Sequence, residues 1–104
     1  MSPSSIGTAS LSVLAAVAQG FRYGFDIMDR TALKSGSVYR ALGRLEELGL
    51  VRSDWEDAAV ALAEKRPRRR YYEVTAGGLA ELTRAEEELR ALTRWVSLRP
   101  VEER

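Results

Sequence analysis

The stretch KSGSVYRALGRLEELGL, residues 34–50, has the pattern of an amphipathic helix with a defined start and end. Val38, Leu42 and Leu45 recur at helical spacing and form one apolar stripe. Ser35 is the predicted N-cap, and Gly49 is the predicted left-handed residue that ends the helix. The opposite face is polar, with Ser37, Arg40, Arg44 and Glu47 at spacings of three and four. The stretch therefore predicts a short helix with one face for a core and one face that carries two arginines.

Two shorter helices are predicted before this one. The sequence TASLSVLAAVAQ, residues 8–19, has apolar residues at helical spacing and is followed by a glycine stop signal. A second helix is predicted from Arg22 to Ala32, with Phe25, Ile27 and Met28 buried. The first half of the chain is thus predicted to be three short helices joined by tight turns.

After Gly49 the pattern changes from helical to alternating. Residues 50–55 and 70–74 alternate as two strands do, and the sequence between them, EDAAVALAEKRP, is predicted to be the long tip of a two-stranded hairpin. Thr75 is the predicted cap of a last helix, which runs from Ala76 to about Ser97 and is roughly 33 Å long.

The last helix has a longer apolar stripe than a domain of this size can cover. Leucine, alanine and valine side chains alternate along it at three and four residues, as in helices that pack against another helix. A second copy of the same chain is the simplest partner. The predicted dimerisation residues are Leu82, Leu89, Leu92, Trp95 and Val96. We therefore expect a compact domain over residues 1–75 and a dimerisation helix and tail over residues 76–104.

The composition argues against an enzyme and against a metal or cofactor site. The 104 residues include no cysteine and no histidine, so disulfides, thiolate ligands and the commonest general base are missing. No phosphate-binding glycine loop or nucleophile motif is found. No apolar run is long enough to span a bilayer, and the N-terminus lacks the order of a signal peptide, so a cytoplasmic protein is expected.

A net charge of +1 hides one strongly basic segment. Residues 64–72 carry five basic side chains and one acidic side chain. These bases lie at the predicted hairpin tip and its returning strand, where they can neutralise phosphates. The predicted DNA contacts of the hairpin are Lys65, Arg66, Arg68, Arg69 and Arg70. The alternatives are a solubilising loop, or a cross-strand ion pair of Arg69 or Arg70 with an acidic residue of the opposite strand, Asp54 or Glu56.

The predicted domain over residues 1–75, with three helices followed by a hairpin, has the element order of a winged helix-turn-helix DNA-binding domain. In that fold the third helix enters the major groove, and the hairpin, called the wing, lies along the neighbouring backbone or minor groove. The candidate DNA contacts of the third helix are Ser35, Ser37, Tyr39, Arg40 and Arg44. Two alternatives stay open for them: Tyr39 as a core residue, and the two arginines as surface ion pairs with Glu46 or Glu47.

Four segments of the chain resemble the PadR-type transcriptional regulators. They are YGFDI (residues 23–27), LKSGSVYRALGRLEELGLV (33–51), SDWE (53–56) and RPRRRYYEVTAGG (66–78), and the resemblance covers residues 8–82. It implies a winged-helix repressor that dimerises through a C-terminal helix, here in a short form with a single such helix. One departure is the sequence Ser35-Gly36-Ser37, because family members often carry proline after the first serine.

The expected function is therefore a homodimeric, sequence-specific repressor of an inverted-repeat operator in double-stranded DNA. The alternative is a winged-helix interaction module that uses the basic wing to bind an acidic protein. Trp95 allows two interpretations: a packing or dimer contact, or a stacking surface for a small flat aromatic effector at the dimer interface.

Overall fold

Five helices and one two-stranded sheet make up residues 6–96, the part of the chain that the structure, a computed structural model, describes. The elements are α1 (Thr8–Ala18), α2 (Gly24–Thr31), α3 (Ser35–Glu47), β1 (Val51–Trp55), α4 (Ala58–Ala63), β2 (Arg70–Val74) and α5 (Ala76–Trp95). This order confirms the predicted class, a mainly helical winged helix-turn-helix with a small hairpin and a long C-terminal helix. The predicted end of the last helix at Ser97 lies outside the described residues.

The core lies between the first three helices and the base of the sheet. Its fully buried side chains are Val13, Leu14, Ile27, Val38, Leu42, Leu45 and Val51. Each large side chain of this kind stabilises the fold by about 1.5–3 kcal/mol through removal of apolar surface from water. The predicted burial of Phe25 is wrong, because 80% of this residue is exposed. Ile27 is the large buried side chain of α2, and a position two residues away lies on the other side of a helix.

The turn between α2 and α3 sets the direction of α3 relative to α2. Ala32 adopts the left-handed conformation (φ 60°), and its N–H donates to the carbonyl of Met28 at 2.8 Å. The Ser35 N-cap prediction is wrong. Lys34 is the N-cap, because its carbonyl already accepts the first helical hydrogen bond, from the N–H of Val38 at 3.0 Å. Ser35 is therefore the first residue of the helix, and its side chain makes no cap.

The hairpin pairs β1 with β2 in antiparallel register, from Val51 opposite Val74 to Trp55 opposite Arg70. The long tip was expected, but the short helix α4 inside it was not. Alanine and leucine, which dominate α4, are strong helix formers. Asp57 caps α4, since its side chain accepts from the N–H of Ala59 at 2.9 Å. The wing is thus a hairpin whose tip is closed by one helical turn and a half.

The start of α5 is fixed against the base of the wing. Thr75 caps the helix as predicted: its hydroxyl accepts from the N–H of Gly78 at 3.1 Å and donates to the carbonyl of Gly49 at 2.6 Å. Leu82 packs against the core, whereas Leu89 and Leu92, farther along the helix, are more than half exposed. The second half of α5 therefore extends beyond the core of its own chain.

Candidate nucleic-acid interface

The polar face of α3 presents two arginines without acidic partners. Arg40 and Arg44 are exposed, and neither forms an ion pair with any residue in the range 6–96. Glu46, the nearest acidic candidate in the sequence, instead accepts from the hydroxyl of Ser53 at 2.7 Å. Ser35 is exposed on the same helix, and Ser37 is half-buried. The arginine side chains of α3 are thus available to an external anion.

Tyr39 lies at the junction of α2 and α3 and is half exposed (51%), so it is not a core residue. Its ring and hydroxyl pack directly against Gly24, the first residue of α2, and a Cβ at that position would overlap them. The glycine is needed here for close approach rather than for an unusual backbone angle. The tyrosine hydroxyl is thereby held at the N-terminal end of α2, where backbone N–H groups favour anions.

Most of the basic run is organised around one buried carboxylate, Glu56. Arg66 makes a bidentate ion pair with it: Nη2 donates to Oε2 at 3.0 Å, and Nη1 donates to Oε1. The backbone N–H of Arg69 also donates to Oε1, at 3.0 Å, and Nε of Arg68 donates to the backbone carbonyl of Glu56 at 2.9 Å. Glu56 is only 5% exposed. The carboxylate of Glu56 and these three arginines are called the wing latch below.

The wing latch also connects the wing to the body of the domain. The guanidinium of Arg69 stacks on the ring of Tyr23 at 3.9 Å from its centroid, and its Nη2 lies 3.7 Å from Oε2 of Glu56. The N–H of Tyr72 donates to the carbonyl of Arg22 at 2.9 Å. The hairpin is therefore held against the α1–α2 connection along one side and cannot swing freely.

Arg70 joins the wing to α3 rather than to the wing latch. Its Nε donates to the hydroxyl of Ser53 at 3.0 Å, its Nη2 lies 3.7 Å from Oε2 of Glu46, and its guanidinium lies over the ring of Trp55 at 5.3 Å. The cross-strand alternative considered for these arginines is confirmed for Arg69 with Glu56. For Arg70 the partner is Glu46 on α3.

Lys65 and Arg68 are the bases of the run that stay available to an external anion. Both are exposed, and neither forms an ion pair with a described residue. Lys65 ends α4 in a left-handed conformation (φ 57°). Arg68 uses only Nε in the wing latch, so its two terminal nitrogens remain for a phosphate. Sequence reasoning found the basic run but missed that Glu56 is the common partner of three arginines. The only signal was an acidic residue at the end of the predicted first strand.

The wing latch shifts the titration of its carboxylate. The pKa of Glu56 is lowered from 4.5 to about 2, chiefly because the side chain of Arg66 donates to the ionised form, and burial opposes this shift. The same contact raises the pKa of Arg66. Glu56 therefore stays ionised at every pH at which the protein is expected to work.

We expect this carboxylate to make the fold sensitive to acid. A carboxyl whose pKa is lower in the folded state stabilises that state above its unfolded pKa and loses the contribution as the pH falls towards the folded pKa. The loss should thus occur between pH 4.5 and about 2. Urea midpoints at about pH 6 and about pH 3 should fall less for Glu56→Gln than for the wild type. An equal fall would mean that Glu56 makes no pH-dependent contribution.

The apolar residues predicted for dimerisation lie along α5 and at its C-cap, Val96. Leu82 is half-buried against its own core, whereas Leu89, Leu92, Trp95 and Val96 are 50–88% exposed. Between α1 and α5 lies an open apolar groove of about 470 Å³, lined by Ile6, Leu11, Leu82, Ala85, Leu89 and Leu92 among others. Trp95 is the most exposed of the set at 88%. A continuous apolar surface of this kind indicates an interaction site.

Residues 6–96 hold no cluster of acidic side chains suited to a metal ion. Within the same range no helix is long and apolar enough to cross a membrane. The geometry described above is instead that of a helix-turn-helix with a basic wing, and the family comparison agrees with it: the profile described as "Transcriptional regulator PadR-like family" matches residues 13–84. The chain belongs to this family. The resemblance seen in the sequence is thereby confirmed, and the protein is a winged-helix, DNA-binding transcriptional regulator of the PadR type.

Solved structures of transcriptional regulators are similar to this chain over most of its length. A PadR family transcription regulator from hypervirulent Clostridium difficile R20291 is 25% identical, with a TM-score of 0.74, over 85% of this chain and 93% of its own. A PadR family regulator from Eggerthella lenta DSM 2243 is 26% identical, with a TM-score of 0.70, over 86% and 79%. The transcriptional regulator BldR from Sulfolobus solfataricus is 26% identical, with a TM-score of 0.73, over 90% and 63%. No curated protein matches the chain.

Proposed function

We propose that this PadR-type regulator is a homodimeric repressor that binds an inverted-repeat operator. The observation that carries the proposal is the pair of unpaired, exposed arginines on the polar face of α3, Arg40 and Arg44. Arginine reads guanine through two parallel hydrogen bonds in the major groove, which an arginine already bound to a carboxylate cannot do. Occupancy of an operator that overlaps a promoter is enough to repress transcription.

The two proposed contact surfaces have different roles. Arg40 and Arg44 read bases, while Ser35, Ser37 and the hydroxyl of Tyr39 hold phosphates near the start of α3. In the wing, Lys65 and the free nitrogens of Arg68 contact phosphates directly. Arg66, Arg69 and Arg70 act mainly through their positions, because their guanidinium groups are bound to carboxylates or stacked on aromatic rings. This division refines the ten contacts predicted from the sequence.

The proposed dimer forms through α5, and the domain boundary at Thr75 stays a prediction. The exposed stripe and the groove beside α1 together supply a surface for the same stripe of a second copy. A twofold axis through this surface would give two α3 helices, as an inverted repeat requires, with half-sites about one helical turn apart. Stacking of an aromatic effector between the two Trp95 side chains stays a prediction that depends on this dimer.

Duplex binding tests the proposal. A preferred site is first selected from a pool of random duplexes with the wild-type protein, and its affinity is compared with that of a scrambled duplex at two salt concentrations. Arg40→Ala should lower the affinity for the selected site by about tenfold to a hundredfold and change the scrambled duplex little, because one base contact is worth about 1–3 kcal/mol. Lys65→Ala should weaken both duplexes equally and reduce the salt slope by about one per protomer, or about two for the bound dimer.

Arg52→Ala is the matched control for these substitutions. Arg52 alternates with Ser53 along β1, so it lies on the face of the sheet turned away from α3, and it is already paired with Glu73 at 3.2 Å. Its removal should leave both affinities near the wild-type values. If the folded wild-type dimer selects no duplex, the proposal of sequence-specific DNA binding is wrong. The wing then becomes a candidate surface for an acidic protein. Repression itself is tested by transcription in vitro from a promoter that contains the selected site.

A further inference from the structure

The basic run of the wing is less available to DNA than its sequence suggests, because one glutamate, Glu56, binds three of its arginines. We propose that Glu56 is a specificity-determining positioning residue, which fixes the arginines of the wing latch and keeps part of their charge from non-specific DNA. This inference rests on the proposed function. It concerns discrimination between operator and random DNA rather than the existence of DNA binding.

All three oxygens of Glu56 are used within the run. The carboxylate oxygens accept from the guanidinium of Arg66 and the backbone N–H of Arg69, and the carbonyl accepts from Nε of Arg68. The N–H of Glu56 donates to the carbonyl of Arg69 at 2.8 Å, which extends the strand pairing by one step beyond β1 and β2. A side chain used only for solubility would not be 95% buried among four such contacts. The wing latch is therefore a built structure that sets the shape of the wing below α4.

The electrostatic effect of the wing latch is to reduce attraction to any phosphate. Free guanidinium groups release counterions from every duplex alike, so they raise affinity without discrimination. Both terminal nitrogens of Arg66 donate to the carboxylate of Glu56. The guanidinium of Arg69 contacts the same carboxylate and stacks on the ring of Tyr23. Removal of the carboxylate would release one to two cations for non-specific contacts.

The wing latch also has a positional effect, which raises the affinity for the operator. Ordered side chains lose less conformational freedom when they bind, so a pre-formed wing contributes more to the one register in which α3 reads its bases. Arg68 illustrates this: Nε is fixed by the carbonyl of Glu56, and the terminal nitrogens remain for a phosphate. The carboxylate supports this contact indirectly, because it accepts from the backbone N–H of Arg69 and so holds the backbone carbonyl to which Arg68 donates. The two effects together raise the ratio of specific to non-specific affinity.

The test is duplex binding by Glu56→Gln, measured with the wild-type-selected site and with the scrambled duplex. The scrambled duplex should bind Glu56→Gln about threefold to tenfold more tightly than it binds the wild type. The salt slope should be steeper by about one to two per protomer, because arginine cations are released. Binding to the selected site should not improve, so the discrimination ratio should fall by at least about threefold. A residue with only a structural role would lower both affinities and would not steepen the salt slope.

Two further variants keep the test decisive. Glu73→Gln removes another carboxylate that two arginines share, Arg22 at 3.9 Å and Arg52 at 3.2 Å, but near the base of the hairpin rather than near its tip. It makes the same change in net charge and should leave the discrimination ratio near the wild-type value. Arg66→Lys keeps the charge and loses the bidentate geometry, so the ratio should fall with little change in salt slope. If Glu56→Gln does not fold, Arg66→Lys serves as the test variant in its place.

Three results would overturn the inference. The first is a discrimination ratio equal to that of the wild type in both Glu56→Gln and Arg66→Lys. The second is a Glu73→Gln variant that reproduces the whole effect. The third is a scrambled-duplex affinity that falls in Glu56→Gln. Failure of the proposed function gives a different result, since the wild type would then select no duplex at all. A wild type that discriminates, together with wing variants that discriminate equally well, refutes only the role of Glu56.

Discussion

Leu89→Asp should convert the protein to a monomer and lower its affinity for an inverted-repeat operator by about a hundredfold or more. Leu89 is 60% exposed at the middle of the apolar stripe of α5, next to the groove between α1 and α5. A carboxylate buried there without a partner would strongly disfavour a helix pair. Loss of the dimer removes the effective concentration of the second half-site, which is worth about 10²–10⁴ in affinity.

Sedimentation velocity and duplex anisotropy together measure this effect. Ala80→Asp is the matched control, because it adds the same charge nine residues earlier, on the opposite side of the helix. The control should remain a dimer and bind the operator as the wild type does. Half-site affinity should be similar for Leu89→Asp and the wild type, since the contacts of α3 are unchanged. A Leu89→Asp variant that sediments as a tight dimer would rule out this stripe as the interface.

The elements that were predictable from the sequence are those set by local signals. The periodicity of α1 and α3, the alternation of β1 and β2, and the Thr75 cap each depend on residues within a few positions of one another. The missed helix α4 also had a local signal, an aspartate before a run of alanines and leucine. Six residues are too few for apolar periodicity to indicate a helix, so the pattern predicted only a long tip. Ser35 was misassigned by a single residue, since the carbonyl of Lys34 already begins the helix.

The candidate site was less predictable, because its geometry depends on pairs that are distant in sequence. The sequence identified the bases of the wing and the arginines of α3 but could not say which of them had acidic partners. Glu56 lies ten residues before Arg66, and Glu46 lies on a different element from Arg70. Only the three-dimensional pairing separates the cations that remain available, Lys65 among them, from those that hold the wing in place.

Gly78→Ala should destabilise the fold by about 2 kcal/mol, because overpacking of a tight contact typically costs 1–3 kcal/mol. Gly78 is the buried residue of α5, and a Cβ there would collide with the carbonyl oxygen of Leu50 and lie 2.7 Å from Cγ2 of Val74. The Leu50 backbone cannot move away easily, since its carbonyl accepts from the N–H of Thr75 at 3.0 Å and its N–H donates to Leu45 at 2.9 Å.

Gly77→Ala separates this clash from the helix preference of alanine. The two glycines are neighbours in the first turn of α5, but the atoms nearest to a Cβ at Gly77 lie at 3.6 Å, an ordinary contact. Gly77→Ala should therefore be neutral or more stable by up to about 1 kcal/mol, the advantage of alanine over glycine in a helix. Urea midpoints at one protein concentration compare the variants. Equal midpoints would mean that α5 can move away from Leu50. A lower midpoint for Gly78→Ala, accompanied by weaker operator binding, would mean that this contact sets the angle between the dimerisation helix and the wing, and hence the spacing of the two α3 helices.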